Sequence, residues 1–290
     1  VSLRARVCAL LLAGLCQQAA LVAQDAARPR LHIIGASVSG GFTDGPLFGA
    51  EKQGESVSLL RLLSAWCGDE AKVSTHPPMA MWGLFRDPDK IGRDELRLAA
   101  RRRPDAVVAV DFLFWFAYGY VRGDPEVQRP ARFERGLSLL DELEVPMVVG
   151  DLPDMRGAAA RMLNERQIPS PAMLTRLNAR LAAWSKARGD VTIAPVARLI
   201  RELKTSGGAL PLADGPFAAP PGALLQQDRL HATRLGMALL AFRLQGTLQR
   251  QFPATSPLRA RAWTFEQFVE AAGAAVELKD LRAGAAEKRR

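Results

Sequence analysis

Apolar residues in this chain follow two alternating rhythms. Five short, mostly apolar runs rich in β-branched residues occur at 31–34, 72–75, 106–110, 146–149 and 191–194. Such runs predict short strands buried on both faces. Between them the apolar residues recur every three or four positions. Val57, Leu60, Leu63 and Trp66 share one helical face, and Leu96 and Ala99 begin another that stops at Pro104. Leu137, Leu140 and Leu143 form a third, and Met173, Leu177, Leu181 and Trp184 a fourth. The stretch 206–227 is rich in Gly, Pro and Ala and reads as irregular; helical spacing returns over 235–248. Strands alternating with helices predict an α/β protein in three α/β/α layers, with a five-stranded parallel sheet and right-handed crossovers. In such sheets reactive groups gather at the carboxyl ends of the strands.

The first residues follow a different pattern. Arg4 and Arg6 precede an apolar stretch from Val7 to Leu15, and small residues lead to Ala23. A basic start, an apolar middle and a small-residue exit predict a signal peptide over 1–23, and hence a secreted or periplasmic protein. Residues 24–255 then form the main domain and 256–290 a C-terminal helical extension. In that extension Thr264 and Gln267 make a capping-box pattern ahead of the apolar residues Phe265, Phe268, Val269 and Ala272. No later segment has the length and apolarity of a membrane span, so stable membrane insertion of the mature chain is not expected. Cys8 and Cys16 fall inside the leader, which leaves Cys67 without an intramolecular disulfide partner; after Trp66 it reads as a buried, inert thiol.

Composition is that of an ordinary globular protein, 48% hydrophobic and 24% charged. The net charge of +9 is scattered through helices, with small clusters at 101–103 and 288–290. No basic stripe is interleaved with aromatics, so nucleic acid is not an expected partner. Gly35 and Gly40 frame a glycine-containing turn, but the Lys-Ser/Thr pair of a phosphate-binding loop is missing. Asp44, His76 and Asp151 fall near the functional edge without the spacing of a ligand set, so no metal is expected.

Two motifs at opposite ends of the chain carry candidate chemistry. IIGASVSGGF, residues 33–42, ends a predicted strand on a Gly-x-Ser turn, and DRLHAT, residues 228–233, places Asp228 three residues before His231 ahead of a helix. A serine hydroxyl needs a base to take its proton and donors to hold the oxyanion that forms. Only His32, His76 and His231 could serve as that base. His32 lies within the first strand and should face the sheet packing, whereas His231 has a carboxylate within one turn to fix its tautomer. Taken alone, Ser37 also reads as a turn residue, Asp228 as a helix cap and His231 as a surface histidine.

With these two blocks and the strand–helix order over about 30–250, the chain resembles the SGNH (GDSL-like) hydrolases. The resemblance implies a flavodoxin-like α/β/α fold. It also implies a carboxylic-ester hydrolase with Ser37 as nucleophile, His231 as base, Asp228 as its orienter and the Ser37 amide as an oxyanion donor. The family has Asp where this chain has Ala36. It also has a Gly after strand two and a Gly-x-Asn-Asp after strand three, both supplying oxyanion donors. Gly83 is the candidate for the first. The third block here reads Asp111-Phe112-Leu113-Phe114, without asparagine. Asp111 there is either a protonated or substrate-binding group, or a carboxylate that caps backbone amides. Gly40 and Gly41 are candidate replacement donors, and Ser39 is a candidate for support within the turn.

The expected activity is cleavage of an acyl or acetyl ester of a glycan or lipid, without a cofactor. Three alternatives stay open: a catalytically weak or inactive protein of this fold that binds a glycan or acyl ligand, an O-acyltransferase, and a purely structural interaction protein. Phe112, Phe114, Trp115, Phe116, Tyr118 and Tyr120 would be divided between the core and the wall of a substrate pocket.

Overall fold

The computed structural model describes residues 28–42, 57–76, 82–158, 160 and 162–287. The expected signal peptide and Asp44 lie outside these residues. The described chain begins with β1 (Arg30–Ile33) and a single helical turn, α1 (Ser37–Gly40), then α2 (Leu59–Cys67), β2 (Lys72–Thr75), α3 (Pro88–Arg102) and β3 (Ala106–Ala109). Next come the short α4 (Phe114–Ala117), α5 (Pro125–Asp141), β4 (Met147–Gly150), α6 (Pro171–Arg188), β5 (Val191–Ala194) and α7 (Val196–Thr205). A small hairpin, β6 (Ala209–Leu212) and β7 (Gly215–Ala218), precedes α8 (Arg234–Gln249), α9 (Phe265–Ala271) and α10 (Ala275–Glu287).

β1 to β5 form one parallel sheet in the order β2-β1-β3-β4-β5. The order reverses direction at β1, and the crevice above such a switch point is where open α/β sheets bind ligands. Residues alternate between faces along each strand. Leu31, Ile33, Val108 and Val148 join the core layer under α2, α7, α8 and α9. Val107, Ala109, Met147 and Val149 face the layer built by α3, α5 and α6. The sheet is thus covered on both sides, a three-layer α/β/α fold. His32 is fully buried, with its Nδ1 2.8 Å from Ser74 Oγ on β2. Burial, aided by the nearby Arg102 and His76 charges, lowers its pKa to about 4, which leaves the ring neutral.

Helix starts follow the sequence closely. Asp87-Pro88, Asp124-Pro125 and Ser170-Pro171 each place a capping side chain before a proline in the first turn, and each cap accepts a backbone N–H. The stretch expected to be irregular after α7 instead contains the β6–β7 hairpin. Pro211, Pro216 and Gly215 had obscured its strand pattern. The tail past Pro257 packs onto the main core: Leu258, Phe265 and Phe268 are fully buried. Gln245 on α8 bonds both the N–H and the carbonyl of Trp263, which ties the tail to the domain. Cys67 is buried, and burial pushes its thiol up to about 12, so it stays protonated and inert. No described helix is long and apolar enough to cross a membrane.

Gly150 ends β4 where a Cβ would lie 2.0 Å from the Val110 carbonyl oxygen, a backbone atom that cannot swing aside. Gly150→Ala should therefore destabilise the fold by roughly 2–3 kcal/mol. Gly246 in α8 has open space around its Cβ position, so Gly246→Ala should stabilise by about 0.5–1 kcal/mol through helix propensity. Urea denaturation of both variants checks the pair; equal effects would contradict this packing.

Candidate active site

The chain leaves β1 through Ile34 and turns sharply at Gly35, whose φ of +143° suits glycine alone. A Cβ there would fall 2.1 Å from Asp111 Oδ1. This close approach sets Ser37 as the first residue of α1, directly above the sheet edge. The Asp111 carboxylate, arriving just after β3, holds the turn. Its Oδ2 accepts N–H groups from Val38 at 2.8 Å and Ser39 at 3.4 Å, and its Oδ1 accepts the Ser39 hydroxyl at 2.6 Å. Burial raises the Asp111 pKa, against the opposing pull of Ser39 and the amides of Ala36, Val38 and Ser39. Of the roles open to Asp111 in the sequence, this geometry favours the carboxylate that caps amides, and Ser39 is its partner within the turn. Among the described residues the Ser37 amide donates to no acceptor, although the next two amides, of Val38 and Ser39, bond Asp111.

His231 sits on a tight turn between the hairpin and α8. Arg229 takes a left-handed conformation at φ +54°, and Asp228 Oδ1 accepts N–H groups from Leu230 at 2.8 Å and His231 at 2.9 Å. The other oxygen, Asp228 Oδ2, lies 2.6 Å from His231 Nδ1. The opposite ring nitrogen, Nε2, lies 2.8 Å from Ser37 Oγ. Phe42 stacks on the imidazole with ring centroids 4.0 Å apart. Gln226 Nε2 bonds the carbonyls of Phe42 and Ala232, which fastens this stack to the histidine turn. Asp228 is fully buried and His231 nearly so. Burial alone would raise the Asp228 pKa, but the His231 ring and the two turn amides outweigh it and hold the carboxyl below its ordinary value. Asp228 is therefore an anion at neutral pH, and a proton on Nδ1 points at it.

The structure thus brings Ser37, His231 and Asp228 into one hydrogen-bonded chain. The other candidates are placed differently. Gly83 lies in a 3₁₀ turn, Trp82–Phe85, and packs against Ile91 of α3; it is not among the described residues lining the cleft at Ser37. The Gly40 amide bonds the Ala36 carbonyl at 2.9 Å, and that of Gly41 bonds the Ser37 carbonyl at 2.8 Å. Closing the α1 turn occupies both, so neither is a free oxyanion donor. Asp151 lines the cleft, but its Oδ1 accepts the Ala197 N–H at 2.6 Å and caps α7.

One participant was not anticipated. Glu95 of α3 is fully buried, and its Oε2 accepts the Gly35 N–H at 2.9 Å. Its Oε1 has no partner among the described residues. Burial raises its pKa well above the ordinary value; the Gly35 amide opposes this and the Asp111 charge adds to it. A signal was present in the sequence, since Glu95 shares the buried face of α3 with Gly92, Leu96 and Ala99.

The cleft runs from Ser37 and His231 across the ends of β3 and β4 toward α7 and α8, and most of its lining is apolar. The segment 151–156 forms one wall, and its backbone is pinned throughout. Asn178 bonds both the N–H and the carbonyl of Leu152, at 2.8 and 2.9 Å. Tyr118 donates to the Pro153 carbonyl and accepts the Met155 N–H. Lys204 Nζ donates to the carbonyls of Asp154 and Arg156, each at 2.8 Å. The aromatic run is divided: Phe112, Phe116 and Tyr118 are buried, Phe114 and Trp115 line the cleft, and Tyr120 is exposed.

No family model and no curated protein matches the chain. Among solved structures it is similar to a gut microbial diltiazem-metabolizing enzyme, at 13% identity and a TM-score of 0.42. The match covers 77% of this chain and 47% of that one, so the chain spans about half the length of that protein.

Glu95→Gln keeps an acceptor for the Gly35 amide and removes the titrating proton. With its folded pKa raised, wild-type Glu95 keeps a proton that the unfolded chain releases above about pH 4.5. Wild-type stability should therefore fall, relative to Glu95→Gln, as pH rises from about 4.5 toward the raised value in the fold. Urea denaturation across that range measures the difference; a gap that stays constant with pH would show that Glu95 ionises normally in the fold.

Proposed function

We propose that this protein is a serine hydrolase of carboxylic esters, of the SGNH type, working through an acyl-enzyme. The observation that carries the reading is the continuous link from Ser37 Oγ to His231 Nε2 at 2.8 Å and from His231 Nδ1 to Asp228 at 2.6 Å, beside an apolar cleft. Export is part of the same proposal, supported by the basic, apolar and small-residue order of residues 1–23.

In this mechanism Ser37 Oγ attacks the ester carbonyl carbon as its proton passes to His231 Nε2. The buried Asp228 carboxylate stabilises the imidazolium that results. The Ser37 amide donates to the oxyanion. The tetrahedral intermediate collapses by breaking the bond to the leaving oxygen, which takes the proton from Nε2 and departs as the alcohol. Water then attacks the acyl-enzyme and gives its proton to Nε2. Collapse of the second intermediate frees the carboxylic acid and returns the proton to Ser37 Oγ.

A second reading has a specific observation behind it. The Ser37 amide is the one oxyanion donor identified among the described residues, and each missing donor typically costs roughly 10²–10³ in rate. A slow or inactive protein that binds an acyl or glycan ligand in the same cleft would fit that deficit. Hydrolysis of short p-nitrophenyl esters separates the two. Wild type should turn over, while Ser37→Ala and His231→Ala should lose activity by a factor of at least about 10³, and Asp228→Asn by about 10³–10⁴. A Ser37→Ala variant as active as wild type, or an inert wild type, would exclude the hydrolase reading.

A further inference from the structure

Few of the groups that line the cleft are polar. Ser37, His231, Asp111 and Asp151 supply them, and beyond these the lining is apolar, including Phe114, Leu152, Met155, Leu203, Met237 and Leu240. Leu152, Met155, Leu203 and Met237 are almost completely inaccessible to solvent, so the far end is closed by core side chains. The wall over 151–156 is held by Asn178, Tyr118 and Lys204, so the cavity exists without ligand. An apolar recess that opens onto a nucleophile and is already built gives binding energy to an apolar group at little ordering cost.

Its size limits that group. The cavity measures about 70 Å³ in positions open to the centre of a water-sized sphere. At roughly 10–15 Å³ per water the whole cleft, catalytic end included, has room for about five to seven waters, or about 150–210 Å³ of liquid, against about 150 Å³ for a cavity that accepts a six-carbon ring. An acetyl group would leave most of it unfilled.

Which half of the ester enters follows from the order of events. In the acyl-enzyme route the alcohol must leave before water can approach the carbonyl. An alcohol held in the closed end would have to pass the acylated serine to escape. The acyl chain, by contrast, stays attached to Ser37 through both half-reactions and gains from a dead end. We infer that this cavity is an acyl-chain pocket that makes the protein selective for esters of apolar acids of about six carbons, over acetyl esters. The inference rests on the ester-hydrolase reading.

Two isomers of equal atom count, ethyl hexanoate and hexyl acetate, test it directly. Ethyl hexanoate should have the higher kcat/KM by more than tenfold. Across p-nitrophenyl esters kcat/KM should rise from acetate to hexanoate by up to about four-fold per methylene and fall for chains beyond about eight carbons. Ile200→Phe, which adds bulk to the lining, should lower the hexanoate-to-acetate ratio at least tenfold. A ratio measured within one sample does not depend on how much of the variant is folded. A flat or acetate-favouring series, or a preference for hexyl acetate, would overturn the acyl pocket while leaving the hydrolase reading in place. Should wild type cleave none of these esters, the hydrolase reading fails, and the change in tryptophan fluorescence, to which Trp115 of the cleft wall contributes, of Ser37→Ala titrated with methyl hexanoate and methyl acetate still decides whether the cavity takes an apolar acyl chain. Tighter binding of the hexanoate supports it, and equal binding overturns it.

Discussion

The site depends on the Asp111 carboxylate clasping the turn after β1. A strand that ends above a sheet edge has no reason of its own to present a serine in one orientation. Here Gly35 lets the backbone approach Asp111 closely, and the carboxylate takes up the amides of Val38 and Ser39 together with the Ser39 hydroxyl. Glu95 takes the Gly35 amide from the other side. Two buried carboxyl groups thus fix the turn from adjacent layers of the fold. The desolvation that raises both of their pKa values is an energetic cost the packed core must offset. Such a local violation of the rule against burying acids is typical of places where a fold has been shaped around a site.

The same economy operates at the second motif. Asp228 spends one oxygen on the backbone of its own turn and the other on the imidazole. The turn therefore positions the histidine and its carboxylate as one rigid unit, and Phe42 closes over the ring. The fold must then bring this unit onto the turn after β1, where His231 meets Ser37 and Phe42 meets the ring and Gln226, at the β1 switch point of the sheet.

This division explains what could be read from the sequence. The Asp228–His231 pair spans three residues, so its geometry is local and visible as a motif. The strands β2 and β5 begin and end where their patterns predict, and the other three are displaced by a residue at one or both ends. The clasp on the turn that carries Ser37 was not legible, because Asp111 is 73 residues from Val38 and spacing alone leaves its role open. Glu95 was passed over although its spacing puts it on the buried face of α3 with Leu96 and Ala99, because the letter alone does not say which backbone amide a buried acid meets. Gly40 and Gly41 looked like free donors because the pattern does not reveal that α1 closes on their amides. The β6–β7 hairpin was hidden by prolines that a two-stranded edge structure tolerates.

The central claim is that this architecture makes Ser37, and not another hydroxyl, nucleophilic. Reaction of the folded protein with a fluorophosphonate, followed by digestion and fragment-ion assignment of the modified peptide, tests it most directly. The account predicts stoichiometric modification of Ser37, with neighbouring Ser39 untouched because Asp111 holds its hydroxyl. Modification of Ser39 or of a distant serine, or no modification of a folded sample, would contradict it.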